Sequence, residues 1–288
     1  MPHHTVKPTP GDITAHVYQA LKEDLGGWVD INQDITASLI PSQAQAQAHI
    51  ITREPMVMCG RDWAHCAFTA LDNAIEVTWH VQDGQSVAAG TTLCDIKGNA
   101  RVLLCAERTA LNFLQTLSAT ATTTTHYVRL LKGTQTKLLD TRKTLPGFRQ
   151  AQKYAVHCGG GNNHRVGLFD AYLIKENHIA ACNGIKNAVQ QAKMSHPGKS
   201  IEVEVETFEE LEQALLAGAD IIMLDNFTTT EVRQAVNYVS GRCLLEVSGN
   251  ITDTRLSALA STGVDYISSG ALTKHIQAID LSMRLSLL

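Results

Sequence analysis

The sequence predicts an α/β chain in which a mixed α+β lobe precedes a run of repeated strand–helix units. Three observations lead there. Six short apolar runs, at residues 137–140, 171–174, 201–205, 221–224, 244–247 and 266–268, have the unbroken character of parallel strands buried on both faces. Helical patterns at 185–194, 208–217, 230–238 and 254–261 lie between the later runs, and Gly218, Gly241 and Gly263 fall where these helices should stop. Polar residues also recur on a fixed beat: Glu204 to Asp225 is 21 residues, Ser248 follows after another 23, and Gly270 after another 22. A strand–helix period of this length belongs to a barrel. Fewer than eight units are visible, so an open, incomplete α/β barrel is expected. A doubly wound open sheet is the competing architecture.

The N-terminal elements follow in order. Residues 12–25 form an amphipathic helix pattern with Asp12 available as a cap and Gly26-Gly27 as the stop. Residues 46–58 alternate as a strand does, and 62–71 return to a helical pattern. Residues 75–96 are rich in strand formers around an Asp83-Gly84 turn. Residues 107–131 contain few breakers and predict one long helix, with Leu111, Leu114, Leu117, Val128 and Leu131 on its apolar face. The threonine-rich stretch at 119–125 suits a helix packed closely against another element.

Composition excludes several classes. The 288 residues are 44% hydrophobic and 18% charged, which describes a soluble globular chain long enough for two lobes. A net charge of -4 and a pI near 6.3 argue against nucleic acid as the main partner. The first residues lack the pattern of a secretory signal, and no apolar run approaches the roughly 18 residues that span a bilayer. Seven scattered cysteines without a Cys-x-x-Cys pair suggest reduced thiols in a cytoplasmic protein, not a zinc or disulfide framework.

The polar residues that end the strand runs are the candidates for function. They are Thr141-Arg142-Lys143, Lys175-Glu176, Glu204 with Glu206, Asp225-Asn226, Ser248-Gly249 and Ser269-Gly270. In a barrel, the carboxyl ends of the strands form the rim on which active sites are built. Arg142, Lys143, His164, Arg165 and Lys175 cluster within a short stretch of an acidic chain, beside Gly-rich backbone, as a small multiply charged anion requires. The two Ser-Gly loops after the last strands suit a phosphate monoester. Glu204 and Asp225 could hold Mg²⁺ or accept hydrogen bonds from sugar hydroxyls; alternatively they neutralise Lys143 and Lys175 in an ion network. The expected substrate therefore carries a phosphate, hydroxyls or bound Mg²⁺, and further negative charge.

Several motifs resemble the quinolinate phosphoribosyltransferase family, in order along nearly the whole chain. They are Glu107-Arg-Thr-Ala-Leu-Asn-Phe-Leu-Gln115, Asp140-Thr-Arg-Lys-Thr-Leu-Pro-Gly147, Gly160-Gly-Asn-Asn-His-Arg165, Leu173-Ile-Lys-Glu-Asn-His178, Glu202-Val-Glu-Val-Glu206, Met223-Leu-Asp-Asn226, Glu246-Val-Ser-Gly249 and Gly270-Ala-Leu-Thr273. The resemblance implies an N-terminal α/β sandwich domain over residues 1–115, completed by the tail at about 275–288, and an open α/β barrel over 116–274 that carries the active site. It implies a cytoplasmic homodimer that uses Mg²⁺, quinolinate and 5-phosphoribosyl 1-pyrophosphate. Thr141, Arg142, His164, Arg165 and Lys175 would hold quinolinate, with Arg108 supplied by the partner subunit. Lys143, Glu204, Asp225, Ser248, Gly249, Ser269, Gly270 and His275 would hold phosphoribosyl pyrophosphate. Lys143, Glu204 and Asp225 would act in catalysis, the last two through Mg²⁺.

The implied chemistry suits these residues. A pyridine nitrogen has no proton to lose, so its attack on the sugar needs no general base, and the sequence offers no nucleophile–His–Asp arrangement. Positioning and charge stabilisation are what the reaction requires. Two alternatives remain: a related enzyme, such as a molybdenum-operon paralogue, acting on another heteroaromatic carboxylate, or a non-catalytic phosphosugar-binding barrel. The full set of Arg108, Arg142, Arg165 and Lys175 favours a dicarboxylate over the first. Intact Lys143, Glu204 and Asp225 argue against the second.

Overall fold

The structure, a computed structural model, describes residues 5–249 and 251–288. In chain order the elements begin with α1 (Pro10–Asp24), β1 (Gln45–Thr52), β2 (Met56–Val57), α2 (Arg61–Thr69), β3 (Glu76–Trp79), β4 (Ser86–Val87), β5 (Thr92–Asn99) and α3 (Ala100–Leu130). They continue with β6 (Lys137–Leu139), α4 (Arg149–Cys158), β7 (Tyr172–Ile174), α5 (Glu176–Ala181), α6 (Ile185–Ser195), β8 (Ile201–Val205), α7 (Phe208–Ala217) and β9 (Ile221–Leu224). Last come α8 (Thr229–Val239), β10 (Leu244–Val247), α9 (Asp253–Ala260), β11 (Tyr266–Ser268), α10 (Ala271–Lys274) and β12 (Leu281–Leu287). These divide into two units: Lys7–Thr124 with Gln150–Gly160 and Ile276–Leu288, and Thr125–Arg149 with Gly161–His275 and residues 5 and 6.

The first unit is built on an antiparallel sheet in the order β12-β1-β5-β3. Ala46, Ala48, Ile50 and Thr52 alternate inward along β1, so one face of that strand is core. The C-terminal strand β12 pairs with β1 from Thr52↔Leu281 to Ala46↔Leu287. Helix α1 starts earlier than its apolar pattern suggests. Thr9 is the N-cap, Pro10 is the first helical residue, and Asp12 closes a capping box on Thr9 instead of capping the helix itself. The strand expected over residues 46–58 is broken at Glu54-Pro55, because Pro55 has no N–H for the ladder; β2 is a separate two-residue strand paired with β4.

Helix α3 begins seven residues before the expected start at Glu107, and the Asn99 side chain explains why: its Oδ1 accepts the Arg101 N–H at 3.0 Å. The hydroxyl-rich part of this helix packs against backbone. Ser118 accepts from the Cys59 N–H and donates to the Cys59 carbonyl, and Thr122 accepts from the Val57 N–H. Gly159 at the end of α4 lies so close to the Ala121 carbonyl and Thr124 that a Cβ would collide with them. Asp83 joins two helices. Gly60, at φ +105°, has no side chain to cap α2, and Asp83 Oδ1 accepts the Arg61 N–H at 3.1 Å in its place. Its Oδ2 accepts from the Tyr154 hydroxyl of α4 at 2.9 Å.

The second unit is the barrel. Its six strands are all parallel, in the order β6-β11-β10-β9-β8-β7. Neighbours in sequence are neighbours in space from β7 to β11, and the first strand pairs with the last. A doubly wound sheet would instead reverse its order at an internal switch point, so the barrel is the correct architecture. Its opening lies between β6 and β7, where Asn162 adds a single parallel bridge to Leu139. The helices end as expected near Gly218 and Gly263, while Ser240, at φ +46°, is the C-cap of α8 one residue before Gly241. Among the described residues three helices lie where the sequence shows no helical pattern: α4, the six-residue α5 immediately after Lys175, and the four-residue α10. Among the described residues no helix is long and apolar enough to cross a membrane.

Asp83→Ala should destabilise the protein by about 1–3 kcal/mol, since it orphans the Arg61 N–H and the Tyr154 hydroxyl together. Urea denaturation monitored by circular dichroism measures this, and Asp83→Asn should recover part of the loss because an amide oxygen can still accept one of the two bonds.

Candidate active site

The strand ends of the barrel unit deliver most of the singled-out residues to one pocket of about 320 Å³. Thr141, Arg142, Lys143, His164, Arg165, Lys175, Glu204 and Ser248 line it, together with Leu173, Met223, Glu246 and Ser268. The first three follow β6 and turn sharply, with the Lys143 N–H donating to Thr141 Oγ1 at 3.0 Å. Asp140, fully buried at the end of β6, holds the next contributors in place. It accepts from the His164 N–H at 2.8 Å and from the Asn163 amide at 2.7 Å, so the loop after α4 is pinned to the strand.

Positive charge exceeds what the protein itself answers. Burial and the neighbouring Arg142 both lower the proton affinity of Arg165, so the two guanidinium groups sit close enough to repel. Arg165 donates to the Ala171 carbonyl at 3.3 Å, and Asp170 and Glu202 offset part of its charge. The buried Arg142 Nε has no hydrogen-bond partner. A buried, unanswered guanidinium N–H costs about 1–3 kcal/mol and marks a place where an acceptor belongs. Lys175 is paired with Glu204.

Beneath these groups lies a second, buried layer. His164 Nε2 is 2.9 Å from Glu202 Oε2 and 3.6 Å from Glu246 Oε2, and both carboxyl groups are fully buried. His164 Nδ1 accepts the Arg165 backbone N–H at 2.8 Å, so Nε2 is the ring nitrogen turned to the carboxyls. Burial, and then the charge of Glu202, push the Glu246 carboxyl up to about 8, against the opposing pull of His164 and Ser268.

Comparison with known proteins places the chain. The C-terminal domain model of quinolinate phosphoribosyl transferase matches residues 120–284, and the N-terminal domain model matches residues 34–118. The chain belongs to the quinolinate phosphoribosyltransferase family. It is 40% identical over 266 residues to a probable nicotinate-nucleotide pyrophosphorylase (carboxylating) of Bacillus subtilis, covering 92% of this chain and 90% of that one. It is 38% identical to the nicotinate-nucleotide pyrophosphorylase (carboxylating) of Mycobacterium leprae, over 93% of this chain and 95% of that one. The solved structure of the nicotinate-nucleotide pyrophosphorylase from Francisella tularensis superposes with a TM-score of 0.92 at 50% identity, covering 98% of this chain and 99% of that one.

The remaining residues that the quinolinate phosphoribosyltransferase motifs single out do not line the pocket. Asp225 follows β9, with its N–H on the Val205 carbonyl and its Oδ2 accepting from the Asn226 amide at 3.1 Å. Gly249, Ser269 and Gly270 directly follow the lining residues Ser248 and Ser268. A Cβ on Gly270 would lie 2.9 Å from Lys143 Cδ, so the absence of a side chain there makes room for the lysine stem. His275 is exposed just beyond α10, and Arg108 is exposed on α3 in the other unit. Glu202, Glu246 and Ser268 were not singled out as site residues. The signal for the acids was present: Glu246 interrupts an otherwise apolar strand and Glu202 stands between Ile201 and Val203, and an acid in that setting needs a partner.

Glu246 makes stability depend on pH. Its folded value of about 8 lies above the ordinary 4.5, so the folded chain keeps a proton that the unfolded chain releases. That contribution is complete below about 4.5 and is lost as pH rises through about 8. Urea unfolding across this range should show stability falling with pH, with a shallower fall in Glu246→Gln.

Proposed function

We propose that this protein transfers the phosphoribosyl group of 5-phosphoribosyl 1-pyrophosphate to the ring nitrogen of quinolinate and releases CO₂, giving nicotinate mononucleotide and pyrophosphate in NAD biosynthesis. The observation that carries this reading is the pair Arg142 and Arg165 with Lys175 in one pocket, where Arg142 keeps a buried donor without a partner. Two guanidinium forks suit two carboxylates on one ring. A phosphate site alone leaves this much cationic charge unexplained.

In this reading Arg142, Arg165, Lys175 and the Thr141 hydroxyl hold the two carboxylates. His164 shapes the pocket and fixes the Arg165 backbone, since its own nitrogens face Arg165 and Glu202. Ser248, Gly249, Ser269 and Gly270 offer small-residue backbone to the sugar phosphate, and Lys143, beside Gly270, reaches the pyrophosphate; His275 supports the same ligand from the end of α10. Glu204 and Asp225 end adjacent parallel strands with carboxylate oxygens, a donor type that fits Mg²⁺, and these two residues would hold it so that it offsets the charge of the departing pyrophosphate.

The ring nitrogen attacks sugar C1 as pyrophosphate leaves. No base is needed, so the protein acts by alignment and by stabilising charge: cations on the leaving group, and carboxylates near the cationic sugar. Once ribosylated, the ring nitrogen is positive and stabilises the electron pair left on C2 when the adjacent carboxylate departs. Arg142 and Arg165 keep hold of the remaining carboxylate.

We extend the proposal to a homodimer in which the partner's Arg108 completes the cation set. The support is the family motif at residues 107–115 and the exposure of this arginine on α3. Purified protein with Mg²⁺, quinolinate and phosphoribosyl pyrophosphate should form nicotinate mononucleotide and CO₂. No product above background overturns the enzyme reading, and product from nicotinate but not quinolinate overturns the substrate. Arg108→Ala and Arg142→Ala should each lower kcat/KM by about 10²-fold or more. Mixing the two inactive variants should restore activity through hybrid dimers; mixtures no more active than their components would contradict the shared site.

A further inference from the structure

Arg142 and Arg165 stand on two separate loops, one after β6 and one after α4, and their charges repel. Asp140 ties the second loop to the end of β6 at Asn163 and His164, just before Arg165. A second tie joins the two loops just after Arg165, through Arg149 at the start of α4. We propose that Arg149 is a positioning residue that sets the spacing between Arg142 and Arg165, and with it the preference for two carboxylates over one; this rests on the function proposed above. Arg149 does not line the pocket, so it acts through the loops and not on the ligand.

The bridge is built from the residues that follow the cation turn. Leu145, Pro146, Gly147 and Phe148 form a turn closed by the Phe148 N–H on the Leu145 carbonyl at 3.2 Å, with Gly147 at φ +72°. Proline and then glycine at the two central positions suit that backbone. The turn carries the chain back, so that Arg149 Nε donates to Thr144 Oγ1 at 3.2 Å. Thr144 directly follows Lys143, and its N–H donates to the Arg142 carbonyl at 3.0 Å. The same guanidinium reaches the other loop, where Nη1 donates to the Val166 carbonyl at 3.1 Å. Asp170 holds the far side of that residue: Oδ2 accepts the Val166 N–H at 2.6 Å, and Oδ1 accepts the Gly167 N–H at 3.0 Å. Val166 is thus fixed through both of its peptide groups, directly after Arg165. A guanidinium presents its donors in a rigid fork, so acceptors on two loops are kept at one separation. An ammonium on a flexible stem imposes no such separation.

The test is titration calorimetry with quinolinate, and displacement titration with nicotinate, on Arg149→Ala, Arg149→Lys and Thr144→Val. In both Arg149 variants the affinity for quinolinate should fall about tenfold or more, while that for nicotinate, which needs one guanidinium fork, stays within about twofold. Thr144→Val should lower quinolinate affinity selectively as well. Adding it to Arg149→Ala should cost less than the product of the two single losses, because both changes break one bridge. Equal losses for the two rings overturn the proposal, since that pattern gives Arg149 a structural part. Wild-type affinity in Arg149→Lys also overturns it, because charge alone would then suffice. If Arg149→Ala does not melt cooperatively, Thr144→Val decides: an unchanged ratio between the two rings overturns the proposal. A wild type that does not bind quinolinate overturns the function itself, a distinct outcome.

Discussion

Arg142 and Arg165 repel one another across a pocket whose nearest carboxylates are already engaged, and the barrel unit is arranged around holding them there. Like charges in a half-buried site are unfavourable unless an anion answers them. The protein supplies part of the answer through Asp170 and Glu202 at Arg165, and none at the Arg142 Nε. What remains is an electrostatic demand that a ligand with two carboxylates satisfies. Asp140 makes the arrangement rigid. From the floor of β6 it fixes Asn163 and the His164 backbone, and Arg165 follows directly.

The parallel barrel supplies the geometry. All six strands run the same way, so every carboxyl end opens on one rim, and residues two apart on a strand share a face. Glu202 and Glu204 are such a pair on β8. Glu204 reaches the pocket and pairs with Lys175, while Glu202 lies a layer deeper against His164. One strand thus contributes a carboxylate suited to the metal and phosphate side and another that tunes the buried acid layer. The same burial that makes Glu246 hold its proton would strengthen the contacts of Arg142 and Arg165 with a bound carboxylate.

Much of this was legible in the sequence, for identifiable reasons. Strands β6 to β11 are short apolar runs ended by polar residues, and that pattern marks both their position and their functional ends. The cation cluster stood out because it opposes the chain's net charge. Local chemistry hid other elements. The start of α3 is set by the Asn99 side chain, whereas the apolar run after it resembles a continuing strand. Helices α4 and α5 sit among the glycines and polar residues that suggested loops. The buried acids were the largest omission. Glu202 and Glu246 are more than forty residues apart in sequence, and only the barrel, with one strand between β8 and β10, makes them partners.

The central claim is that the surplus positive charge reads two carboxylates on one ring. Titration calorimetry of the wild-type protein with quinolinate and with nicotinate addresses it without any chemistry taking place. Removing one carboxylate leaves a buried guanidinium unanswered, so quinolinate should bind about 10²-fold or more tightly than nicotinate, a gap that narrows with added salt. Equal affinities for the two rings would contradict the claim.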